Sequence, residues 1–250
     1  MINKKFKLST QAAIAVALLM GVSQSAFSHT RLEIPTVAEG VRVTNNVVIG
    51  HTCGEGKTTI ASTVVFPDGV DSIVKVNGTA TTDTVDAYVT NYGNLYQKIL
   101  DHSVFESENE KRDANGNVVG FWAKDGKMPD GYTVYMPFRA SAMFIEPSSC
   151  ARSVKVVLGI ADICKVTAIS GFVDGVVETW TPAVGSNYDG VGLGGYDSPA
   201  TLTVTRDTVN NPMDASCGDG LDVEIVPSAA QLNRDMPIIT TKGKQYWPKP

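Results

Sequence analysis

Residues 58–66 read TTIASTVVF, a run dominated by Thr, Ile and Val with no helix-capping signal at either end. β-branched side chains pack well on a pleated surface and lose rotamer freedom in a helix, so the stretch reads as a β-strand. It is followed at once by FPDGV (66–70), whose Pro, Asp and Gly suit a turn. The same alternation of strand and turn recurs along the chain. RVTNNVVIG (42–50), SIVKV (72–76), YTVYMPF (132–138), SVKVVLGIA (153–161), TLTVTR (201–206) and LDVEIV (221–226) each read as strands, with turns at RDANGN (112–117) and MPDG (128–131). The best helix signal is NLYQKILDHSVFESENE (94–110), read as a short helix that ends in a loop. The expected architecture is an all-β antiparallel β-sandwich, immunoglobulin-like or cupredoxin-like, of about eight or nine strands with long loops and two disulfides.

The first 28 of the 250 residues carry Lys4, Lys5 and Lys7, then the apolar run AAIAVALLMGV, then AFS. These are the three zones of an export signal, and the apolar run is too short to span a bilayer. The expected domains are therefore a secretory signal peptide over residues 1–28 and a single β-sandwich over 29–250, extended from about residue 165. Once the leader is removed, 18 basic residues face 26 acidic ones, a formal charge of -8 before the new terminus is counted. Such a balance argues against nucleic acid as partner. No transmembrane segment is expected after processing, and the place of action is periplasmic or the outer cell surface.

Four cysteines, Cys53, Cys150, Cys164 and Cys217, are spaced by 97, 14 and 53 residues. Without a close CxxC pair they do not read as a zinc knuckle or a redox dithiol; in an exported chain they read as two disulfides, with three pairings open. The glycine-rich stretch 181–199, TPAVGSNYDGVGLGGYDSP, reads as an irregular surface loop. The acidic run ESENEKRD (106–113) reads as a solvated face, and Met128, Met136, Met143, Met213 and Met236 read as packing residues.

Only three histidines occur, His29, His51 and His102. Cleavage after Ser28 would leave His29 as the N-terminus, with an amine and an imidazole on one residue to chelate a metal ion; nitrogen-rich sites favour copper. His51 lies two residues before Cys53 at the end of a strand, so its ring sits at a rim that a disulfide can pin. His102 follows Asp101. These three form the candidate ligand set, for Cu(I) or Cu(II). Trp122, in VVGFWAKDG, is the aromatic expected beside the ion, where it would exclude water. No GxSxG, HExxH or nucleotide-binding glycine fingerprint is present, so no enzyme is expected.

The segments HTRLEIPTVAEG, GHTCGEGKTTIASTVVFPDGV, FWAKDGKMPDGYTVYMPFRA and VKVVLGIADIC, in that order, resemble the YcnI-like exported copper-binding domain over His29 to Cys164. The resemblance implies an immunoglobulin-like sandwich in the periplasm and copper braced by His29, with Trp122 closing the site and a carboxylate drawn from Glu33, Glu39 or Glu55. It also implies that Cys53 joins either Cys150 or Cys164, the other holding the C-terminal extension through Cys217. In design the chain is similar, too, to the copper-repressible surface copper proteins of methane-oxidising bacteria, which bind Cu(I) through two histidines and an oxidised tryptophan. The function these likenesses imply is copper scavenging, buffering or delivery, with a copper transporter or membrane copper protein as partner. The alternative is a structural or adhesive cell-surface sandwich without metal.

Overall fold

The computed structural model describes residues 29–180, 185–189 and 199–250. The leader expected over 1–28 and most of the loop expected over 181–199 lie outside the described residues. The described chain is built almost wholly of strands, in three sheets and one small ribbon. One sheet holds, in spatial order, β1 (Arg31–Leu32), β3 (Val43–Ile49), β10 (Val134–Ala140) and β7 (Tyr96–Lys98). A six-stranded sheet runs β2 (Thr36–Ala38), β14 (Thr201–Thr205), β11 (Ala151–Val157), β15 (Leu221–Val226), β5 (Ile73–Val76) and β6 (Thr79–Ala80). The five-stranded sheet is β13 (Val177–Trp180), β12 (Gly159–Ile163), β4 (Thr58–Val65), β9 (Val118–Pro129) and β8 (Phe105–Arg112). β16 (Ile238–Ile239) and β17 (Gln245–Trp247) form the ribbon.

The fold is the expected β-sandwich with two disulfides, and every strand named from the sequence is present. Two pairings depart from the antiparallel rule: β11 with β15 and β14 with β2 are parallel. The stretch read as one strand, SVKVVLGIA, breaks at Leu158 into β11 and β12, which belong to different sheets. Leu158 is fully buried at that corner, so one apolar run carries the chain across the sandwich.

The helix expected from Asn94 is not formed; its residues are β7 and β8. Nor is the acidic run simply a wetted face. Glu108 pairs with Lys98 at 3.0 Å, both side chains almost fully buried, and the Phe121 ring lies 5.6 Å from the ammonium. Removal from water pulls the Lys98 amine below the usual lysine range, against the pull of Glu108.

Glycines interrupt the β-branched pattern of the longest strand, β9. A Cβ on Gly120 would lie 2.2 Å from the Val64 carbonyl oxygen, and one on Gly126 would lie 2.3 Å from the Phe105 ring. Here glycine permits close approach between strands and does not mark a turn.

The five-stranded sheet is buried on both faces. One face gives Val64, Phe121, Ala123, Ile160 and Trp180 to a main core shared with the other two sheets. The opposite face gives Ala61, Val65, Trp122, Ala161, Ile163 and Val177 to a second core, closed by Leu232, Met236, Ile238 and Trp247. The last part of the expected C-terminal extension thus covers this sheet, while its β13, β14 and β15 are integral strands of the sandwich. Its helix α1 (Ala229–Asp235) is capped by Ser228. The Lys111 ammonium donates to the carbonyls of Asp235, Met236 and Pro237, which ties the end of α1 to the sheet.

Cys53 is bonded to Cys164 and Cys150 to Cys217. The first bridge fastens the loop after β3 to the end of β12; the second fastens β11 to the turn before β15.

Candidate metal centre at Trp180

Strand alternation places the site. Cross-strand pairing aligns Glu178, Asp162, Ser62 and Ala123 in one row of the five-stranded sheet. Trp180, Ile160, Val64 and Phe121 form the neighbouring row on the same face, two residues away along each strand. Asp162 and Trp180, both nearly inaccessible to solvent, therefore point the same way.

Asp162 is the hub. Its Oδ2 accepts from Trp180 Nε1 at 3.0 Å and from Thr30 Oγ1 at 2.5 Å, and its Oδ1 accepts from Ser62 Oγ at 2.7 Å. Burial raises its carboxyl pKa, while these three donors and the nearby His51 pull it down. Through Thr30 the hub fixes the segment that begins with His29.

The His29 ring meets the Trp180 indole edge-on, with centroids 4.9 Å apart and planes at 89°. The His51 ring meets the same indole at 5.6 Å and 78°. Two of the three histidines thus converge on one tryptophan.

Their nitrogens are informative. His51 Nδ1 lies 2.6 Å from the Thr52 carbonyl oxygen, which can only accept, so Nδ1 carries the proton. In the neutral ring Nε2 would present a bare lone pair, the form that binds a metal. That atom is buried without a hydrogen-bond partner, and so is His29 Nδ1. Buried polar atoms are nearly always satisfied, so two unpartnered imidazole nitrogens beside Trp180 mark this as the candidate site.

Glu178 adds a carboxyl group. Its Oε2 stands 3.4 Å from His51 Nδ1, is buried and accepts no hydrogen bond. Desolvation first, then the charges of Asp162 and Asp174, push its pKa up to about 8. The Cys53–Cys164 bridge lies two residues beyond both His51 and Asp162, and so holds the His51 rim against the strand that carries the hub.

The other residues singled out in the sequence lie elsewhere. Trp122 pairs with Thr63 on the opposite face of the sheet and packs in the second core, beneath the C-terminal cover. The aromatic that both histidine rings meet is Trp180, at the border of the glycine-rich stretch. His102 sits exposed in the turn before β8, and neither ring contact to Trp180 involves it. Glu33 accepts from Asn46 Nδ2 at the surface, and Glu55 is exposed. Glu39 is engaged by the amides of Ile145 and Asp207 and by Asn211 Nδ2. The carboxylate beside His51 is Glu178. Among the described residues, no group of three His, Cys, Asp or Glu side chains is arranged to hold a metal ion. None of their helices is long and apolar enough to cross a membrane.

No protein-family model matches the chain, and no curated protein matches it. Among solved structures, it is similar to a protein from Nocardia farcinica described as having an immunoglobulin-like fold. That likeness has a TM-score of 0.38 at 14% identity and covers 70% of this chain and 96% of the other. A type II cohesin domain from the cellulosome of Acetivibrio cellulolyticus is similar with a TM-score of 0.28 at 13% identity, over 68% of this chain and 91% of that one.

Proposed function

We propose that the protein binds a single copper ion, as Cu(I), between His29 and His51 beside Trp180, and serves to scavenge, buffer or deliver it outside the cytoplasm. The observation that carries this reading is the pair of buried, unpartnered imidazole nitrogens on two histidines whose rings both meet the Trp180 indole. Cu(I) is a closed-shell ion content with two or three ligands, and imidazole is among its common partners. Among the described residues no three-residue cage of the kind that Cu(II) or zinc takes is present. Cleavage after Ser28 would add the His29 amine beside Nδ1. The buried Trp180 ring would keep water from the ion, and the role is binding without catalysis.

The same lack of a cage favours a second reading, a structural or adhesive surface sandwich in which the histidines merely pack on Trp180. Competition titration with a Cu(I) chelator separates the two. Wild type should take up one equivalent; His29→Ala and His51→Ala should each lose most of the affinity, and His102→Ala should not. Uptake that survives both site substitutions, or no uptake at all, leaves the second reading.

A further inference from the structure

A cavity of about 800 Å³ opens between the turn after β2, the segment 144–147 and the loop after β14, and none of its walls belongs to the Trp180 site. Its aromatic wall is Phe144, which is 47% exposed. The Phe144 N–H donates to Asn91 Oδ1 at 2.9 Å and its carbonyl accepts from the Thr90 N–H at 3.1 Å, so its backbone is held. The ring lies so close to Gly40 that a Cβ there would stand 3.3 Å from Cε1. Ile145, Pro147 and Pro212 add apolar surface, and two carboxylates, Glu39 and Asp207, supply charge.

Donors and acceptors decide what the cavity can take. Asn211 Nδ2 is spent on Glu39 Oε1 and the Ile145 carbonyl, and Asn210 Nδ2 donates to Asp207 Oδ2. The amides of Ile145 and Asp207 go to Glu39, and those of Val209 and Asn210 to Asp207. Among the described residues, no lysine, arginine or histidine lines the cavity. Arg206 also bonds Asn211, but its guanidinium is otherwise committed to the carbonyls of Ser149, Ala151 and Pro147. The Asn210 side chain first, then the amides of Asn210 and Val209, hold the Asp207 carboxyl below its usual range, so it stays charged. An anion would meet two carboxylates with no cation in the wall to offset them. A sugar would find the side-chain amide donors already engaged.

We infer that this cavity binds an organic cation, with a quaternary ammonium head set against the Phe144 ring and within the field of Glu39 and Asp207. The face of an aromatic ring attracts a cation through its quadrupole, the attraction that aromatic cages for quaternary ammonium exploit. The two carboxylates add a Coulomb term of the same sign. Such a head carries charge but no N–H, so it needs none of the hydrogen bonds that the wall has already spent. Its methyl groups suit Ile145 and the two prolines. A primary ammonium would instead have to find acceptors among oxygens that are already engaged.

The test uses the full chain, with choline as the probe and, beside it, the neutral isostere of choline in which carbon replaces nitrogen. Amide NMR spectra are followed at matched ionic strength. Choline should shift the Gly40, Asn210 and Asn211 amides saturably, and the isostere should bind at least about ten-fold more weakly. Phe144→Leu, which removes the aromatic face, should weaken choline by about ten-fold. Asp207→Asn, which removes the charge and keeps an oxygen for the turn amides, should weaken it too. Equal binding of choline and its isostere overturns the inference, because the cavity is then merely apolar. So does the absence of any saturable shift with choline, or wild-type choline affinity in both variants. Should a variant fail to fold, the comparison of choline with its isostere on the unaltered protein decides alone.

Discussion

Trp180 donates its indole N–H to Asp162, and the carboxylate oxygen that receives it also receives Thr30. One buried atom therefore sets both the orientation of the indole and the position of the segment that carries His29. Replacing Asp162 by Ala strands three donors and should cost about 1–3 kcal/mol of stability. Asp162→Asn keeps an acceptor and should cost less. Urea denaturation orders the two, and a variant order with Asn worse than Ala would remove the hub from the account.

Glu178 predicts a pH dependence in the metal-free protein. Its pKa of about 8 in the folded chain stands above the ordinary carboxylate value, so between about pH 4.5 and 8 the native state binds more protons than the unfolded state. Stability from this group is then greatest at low pH and falls as pH rises, with a slope of at most about 1.4 kcal/mol per pH unit. Glu178→Gln should flatten that fall. Denaturation curves taken between about pH 5 and 8 give the comparison; identical slopes in the two proteins would contradict it.

The two disulfides should behave differently. Their loops span 111 and 67 residues, and the chain-entropy model assigns each about 4–5 kcal/mol. Opening Cys150–Cys217 by double Ala substitution should lower stability and spare copper affinity. Opening Cys53–Cys164 should lower both, because that bridge holds the rim that carries His51. Chelator competition on the two double variants reads the difference.

The tryptophans offer a further contrast. Trp180→Phe removes the N–H that Asp162 receives and reshapes the wall between the histidines, so copper affinity should drop. Trp122→Phe should cost about 1–3 kcal/mol through the second core and leave copper binding unchanged. The reverse pattern would return Trp122 to the site.

Much of the fold is legible in local sequence. TTIASTVVF, TLTVTR and LDVEIV are strands because β-branched runs between turn residues have few other stable conformations. β8 is not legible locally, because FESENEKR spends its charges at a sheet edge and on a buried partner for Lys98, a contact that composition does not reveal. Nor is β9, because its glycines answer to neighbouring strands. Of the candidate site, the sequence singles out His29 at the end of the leader and His51 at a strand end, with Cys53 as the pin beside the latter.

The sequence by itself determined a β-rich chain, its turns and a short inventory of nitrogen ligands, because those follow from each residue's own conformational preference and chemistry. Only the tertiary structure decided which tryptophan joins the histidines, which carboxylates stand near them and how the cysteines pair. Alternation along a strand shows that Trp122 and Phe121 point to opposite faces, but not which face the histidines will meet. That choice depends on contacts such as Thr30 with Asp162, 132 residues apart, where packing of the whole sandwich brings together groups that no local pattern relates.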